Sequence, residues 1–156
     1  MGNISPDATT SSRSRNMARI KSKDTGPELT VRRLVHSLGY RYRLHVRGLP
    51  GTPDLVFRSR KKVIFVHGCY WHAHLRYDPS CKRARPAKSN REYWGPKLER
   101  NVARDQANLS RLADDGWDVL VLWECELKDA ANAALRITQF LGLRNMRQPY
   151  ATLENL

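Results

Sequence analysis

The chain has 156 residues, enough for one domain with a real hydrophobic core and too few for two ordinary ones. Its 28 Lys and Arg outweigh 15 Asp and Glu for a net charge of +13, which favours a polyanionic partner, nucleic acid first, and disfavours acidic small molecules. No apolar stretch approaches the roughly 20 residues that span a bilayer, and the polar N-terminus lacks the apolar region of a secretory signal, so a cytoplasmic, nucleoid-associated location is expected.

Residues 1–15 are Ser/Arg-rich with nothing to bury and read as a flexible basic arm preceding a domain over 16–141. Thr25-Gly26-Pro27-Glu28 has the form of a helix start, with Thr25 as N-cap and Glu28 placed for a capping box. Val31, Leu34, Val35 and Leu38 then mark one helical face, which Gly39 ends. Tyr40, Tyr42, Leu44 and Val46 alternate with Arg and His, so a half-buried strand is expected there. After a Pro/Gly turn, Asp54 opens a strand over Leu55, Val56 and Phe57, and a basic turn leads into a buried strand from Val63 to Val66.

Residues 75–90 form a Pro- and Arg-rich loop. Ser89 and Glu92 make a second capping box, Pro96 predicts a break, and Leu98, Val102, Leu109 and Leu112 supply the apolar face of the helix that follows. Residues 117–123 predict a buried strand and 130–141 a final helix, leaving 142–156 as a C-terminal tail. The order of elements predicts an α/β fold, one central mixed sheet flanked by helices. The long helix before the last strand can serve as a crossover between parallel neighbours.

Three cysteines cannot all pair within one chain, so metal ligation is the better question. Cys69, His74, Cys81 and Cys125 would complete a tetrahedral zinc site that pins the long loop to the last strand, ordinary reduced cysteines being the alternative. Asp54 at a strand mouth suits Mg²⁺, or is simply a turn residue. The paired strand ends at His67 and leads to His72, bringing imidazoles towards the same sheet end, where a general base could activate water. Tyr70-Trp71 is either a loop anchor or a wedge that enters stacked base pairs, with Met17 in the basic arm acting from the other groove.

The stretches "LPGTPDLVF", "VIFVHGCYWHAH", "REYWGPKLERNVARD" and "LADDGWDVLVLWECEL" resemble, in order and spacing, the very-short-patch repair (Vsr) endonucleases, which nick DNA beside a T:G mismatch left by deamination of 5-methylcytosine. The resemblance covers about residues 13–128. It implies a restriction-endonuclease-like fold with structural Zn²⁺ and catalytic Mg²⁺. By position it implies that Asp54 holds Mg²⁺, His72 is the general base, Glu28 orients it and His67 supports the scissile phosphate. The implied zinc ligands are Cys69, His74, Cys81 and Cys125. Met17, Tyr70 and Trp71 would intercalate, and Lys97 and Asn101, four apart on one helix face, would contact bases.

The chain departs from the family at Val66, which stands where Thr is common, so any metal contact there runs through the backbone carbonyl. Tyr70 replaces the commoner Phe. A Mg²⁺-dependent nick leaving a 5′-phosphate is implied, made by a monomer functionally linked to a cytosine-5 DNA methyltransferase. Two other readings stand beside it: a zinc-stapled architectural protein that bends DNA without cutting, and a restriction-type nuclease. Against the latter, Phe65-Val66-His67 stands where such enzymes carry an acidic-x-Lys pair.

Overall fold

The computed structural model describes residues 23–86 and 90–142. Helix α1 (Gly26–Ser37) is followed by strands β1 (Leu55–Phe57) and β2 (Lys62–His67), helix α2 (Arg91–Asp114), strand β3 (Asp118–Trp123) and helix α3 (Ala130–Leu141). The sheet runs β1-β2-β3, with β1 antiparallel and β3 parallel to β2. It is therefore the expected mixed sheet, and α2 is the crossover between its parallel strands. Among the described residues no helix is long and apolar enough to cross a membrane.

Alternation along β2 explains the layering. Ile64 and Val66 join Leu55, Phe57 and Leu122 under Val31 and Val35 of α1 and Ile137 and Leu141 of α3. Val63 and Phe65 point the other way, with Val56, towards Leu109 and Leu112 of α2. Both faces of β2 are thus covered, which is why its sequence is an unbroken apolar run. Each such side chain contributes about 1.5–3 kcal/mol by leaving water.

The strand expected over Tyr40 to Val46 does not form. Only Arg43 pairs, through an isolated antiparallel bridge to Val56. His45 at φ +48° and Gly48 at φ +90° turn the backbone out of the extended region and end any ladder. The break expected at Pro96 is also absent, since α2 is continuous through it. Its N-cap is Asn90, without a side-chain cap bond, and Ser89 of the expected capping box lies outside the described residues. Also outside them are Met17, the arm 1–15 and the tail beyond residue 142.

Candidate active site

Because β1 runs against β2 and β3 runs with it, the start of β1 and the ends of β2 and β3 lie at one edge of the sheet. Asp54, His67 and Trp123 meet there by topology. A cleft of about 910 Å³ opens at that edge, lined by Asp54, His67 and His72 together with Glu28, Asp105 and Arg104.

Asp54 Oδ2 accepts a 2.7 Å hydrogen bond from the backbone N–H of Val66, which fixes the carboxylate at the strand mouth. Burial pushes its pKa up to about 6, against the pull of the Val66 bond, and the nearby Glu28 charge adds to the rise. A carboxylate so placed gains by meeting a cation. Glu28 is itself 5% exposed. Its oxygens accept from Thr25 Oγ1 at 3.0 Å, from the Asp24 N–H at 2.9 Å and from Arg32 at 3.2 Å. The Thr25 cap is therefore present, with the reach-back bond falling on Asp24.

His72 Nδ1 donates to Asp105 Oδ2 at 2.5 Å. The orienting carboxylate at this histidine is thus Asp105, on α2, whereas Glu28 is occupied by its own cap and by Arg32. A carboxylate on Nδ1 selects the tautomer that leaves Nε2 as the acceptor. Asp105 is not legible in the sequence because an acidic residue on an amphipathic helix reads as a solvated face. The His-Asp pairing needs tertiary structure to be seen.

His67 is 7% exposed, and its ring lies flat against His72, centroids 3.9 Å apart and planes 5° apart. Burial, then the His72 charge, lowers its pKa to about 3, so the ring is neutral. His67, His72 and Asp105 bring ligand atoms within 4.8 Å of one another. Parallel stacked rings direct their in-plane lone pairs side by side and not at a shared point, so the geometry favours a packed pair over a chelate.

Cys69, His74, Cys81 and Cys125 bring their ligand atoms within 4.8 Å of one another. Cys125 Sγ is 3.4 Å from His74 Nδ1, and the Cys125 N–H donates to Cys69 Sγ at 3.4 Å. A zinc tetrahedron with bonds near 2.3 Å sets its sulfurs about 3.8 Å apart, so the set fits that ion. Burial pushes the Cys69 thiol up to about 12 and raises Cys125, and a dication at their centre would reverse both by stabilising thiolates.

Beside the cleft, Tyr70 and Trp71 meet edge to face at 5.0 Å, and both touch Trp94 of α2, at 6.0 and 5.8 Å. Lys97 lies over the Trp94 ring at 5.2 Å, and Asn101 Nδ2 donates to the Trp71 carbonyl at 3.1 Å. The sequence-predicted residues Tyr70, Trp71, Lys97 and Asn101 are therefore brought together. Trp94 joins them, signalled only by the unpatterned Tyr93-Trp94 pair at the helix start.

Residues 7–78 match the family model described as DNA mismatch endonuclease Vsr. The chain is 50% identical over 125 residues to the type II nicking enzyme V.XorIIP of Xanthomonas oryzae pv. oryzae, covering 80% of this chain and 88% of that one. It is 39% identical over 116 residues to the DNA mismatch endonuclease Vsr of Escherichia coli K12, covering 74% and 71%. Among solved structures it resembles the catalytic domain of the homing endonuclease I-Bth0305I, with a TM-score of 0.52 and 23% identity over 75% of this chain and 94% of that one. The fold is accordingly of the restriction-endonuclease-like kind.

Proposed function

As the chain belongs to the Vsr DNA mismatch endonucleases and is a DNA-nicking enzyme, we propose that it cuts one strand 5′ of the T in a T:G mismatch in a Mg²⁺-dependent reaction, leaving a 5′-phosphate. The observation that carries this reading is the His72-Asp105 pair facing Asp54 across one cleft, with the Tyr70-Trp71-Trp94 group at its rim.

In this reading Asp54 and the Val66 carbonyl hold Mg²⁺, which fits a carboxylate that burial alone leaves ready to be protonated. The ion, when bound, neutralises the scissile phosphate and stabilises the leaving oxygen. His72 Nε2 takes the proton of the attacking water, and Asp105 holds the ring and balances the charge it gains. Glu28 shapes the acidic wall beside Asp54, and His67 forms the floor under His72 near the scissile phosphate. Zn²⁺ on Cys69, His74, Cys81 and Cys125 pins the loop to the end of β3.

Recognition belongs to the rim. Tyr70 and Trp71, with Met17 from the other groove, enter the stack at the mismatch, while Lys97 and Asn101 contact its bases. A wobble pair opens more easily than a matched one, and the saved unstacking energy appears as selectivity. The enzyme acts as a monomer, and its substrate arises where a cytosine-5 methyltransferase has marked the DNA. The test is a strand-labelled assay on T:G and T:A duplexes in several flanking contexts, with Mg²⁺ or EDTA. A Mg²⁺-dependent nick beside the mismatched T is expected. Binding without cleavage in every context would favour an architectural protein, and equal cutting of matched duplex a restriction-type enzyme.

A further inference from the structure

Four rings join the cleft to the thiol cluster. His72 stacks on His67 at 3.9 Å, His67 meets Trp123 edge to face at 5.2 Å, and Trp123 stacks on His74 at 4.0 Å with planes 14° apart. One end of the series is the histidine paired with Asp105, and the other is the histidine of the cluster. The strand register sets His67 beside Trp123 on neighbouring parallel strands, and the Glu124 N–H donates to the His67 carbonyl at 2.9 Å. Their backbones are therefore fixed, and only ring angles remain to be set.

His72 needs that setting. It sits on the turn after β2, whose backbone reaches φ +51° at Ala73. A single hydrogen bond from Nδ1 to Asp105 fixes one direction and leaves the ring free to rotate about it, so the face contact with His67 has to define the plane. His67 is in turn wedged between Phe65 at 5.8 Å and Trp123. Trp123 has the His74 face for its other wall, inside a small apolar group with Cys69, Cys81 and Ala84.

We propose that Trp123 is a positioning residue for the nicking reaction, passing the fixed orientation of His74 in the metal cluster through His67 to His72. The proposal rests on the reading of His72 as the base. It makes the cluster a determinant of catalytic geometry as well as a staple.

The test uses the full chain reconstituted with Zn²⁺, as wild type, Trp123→Leu and Trp123→Phe. Nicking of a T:G duplex is followed well below each melting temperature, and the imidazole resonances of His67 and His72 are recorded before and after exchange of Zn²⁺ for Cd²⁺. Trp123→Leu should lower kcat by about tenfold to a hundredfold with KM within about twofold, and Trp123→Phe should recover most of the loss. The metal exchange should shift both histidines in wild type and leave them unmoved in the Leu variant. A Leu variant that melts earlier yet keeps wild-type kcat would reduce Trp123 to packing and overturn the proposal, as would unshifted His67 and His72 in wild type. Failure of the wild type to nick any T:G duplex would sink the functional reading alone, since the resonance arm decides the coupling without turnover.

Discussion

At the scale of single residues, the site is built from groups held away from their preferred ionisation. Asp54 carries the clearest consequence. Its pKa rises from 3.8 to about 6 on folding, so the native state binds its proton more tightly than the unfolded chain does. The contribution of Asp54 to metal-free stability is therefore greatest below the unfolded pKa and falls as pH rises through that interval, by about 2 kcal/mol after allowing for partial solvent screening. Asp54→Asn should abolish nicking yet raise the melting temperature of the metal-free protein, with a gap that opens as pH rises through the interval and is constant above it. A variant less stable than wild type at neutral pH would show that Asp54 is not strained. His67 works in the opposite sense, because its pKa is depressed from 6.5 to about 3. The stability it contributes is complete above the unfolded value and is lost as pH falls through the window. Asp105→Asn tests the partner of His72: with the tautomer no longer selected, kcat should drop by about a hundredfold or more while duplex affinity is kept. Equal loss of affinity would move Asp105 from the chemistry to the DNA contact.

At the scale of elements, the sequence was most legible where residue types are rare or runs unbroken. Cysteines and histidines are few, so Cys69, His74, Cys81 and Cys125 stand out in the sequence, and the structure gathers all four. The apolar run of β2 likewise announced a central strand. Periodicity misled over Tyr40 to Val46, because alternation reports which side chains are buried and not whether a ladder forms. Tyr40 does bury, at 5% exposure, but its segment turns away after one bridge. Pro96 misled in the other direction. A proline six positions into a helix removes one interior bond, the one the Glu92 carbonyl would accept, and the remaining turns of α2 outweigh that loss. Asp105 and Trp94 were illegible because both lie on α2, where a polar stripe and an aromatic pair have ordinary explanations. The same helix offers a test of how its first turns are held. Pro96→Ala restores the missing backbone bond and removes the ring's clash with the preceding turn, so it should raise stability by about 1–3 kcal/mol. A lower denaturation midpoint at unchanged m-value would mean that this start of α2 is not regular helix in solution.

At the scale of the whole molecule, a net charge of +13 says little until the paired cations are separated from the rest. Arg32 is held by Asp24 and Glu28, Arg76 by Glu99, Arg83 by Glu124 and Arg136 by Glu126. Arg104 differs. It forms no ion pair among the described residues, it lines the cleft with Asp54 and His72, and it lines the neighbouring groove with Trp71 and Asn101. Its hydrogen bond to Asn101 Oδ1 is long, at 3.3 Å, and weak enough to yield to a phosphate. Arg104 therefore brings positive charge to the cleft beside Lys23 and Arg47 of its lining, and salt dependence can separate a phosphate contact there from a diffuse attraction. Each phosphate neutralised by a cation contributes about 0.9 to the slope of log affinity against log salt. In Mg²⁺-free buffer, Arg104→Gln should reduce that slope by about one on matched and mismatched duplex alike, while Arg76→Gln, whose cation is already balanced by Glu99, should leave it unchanged. Equal effects of the two substitutions would mean that the duplex senses the total charge of the protein and not the edge of the sheet where Arg104 sits.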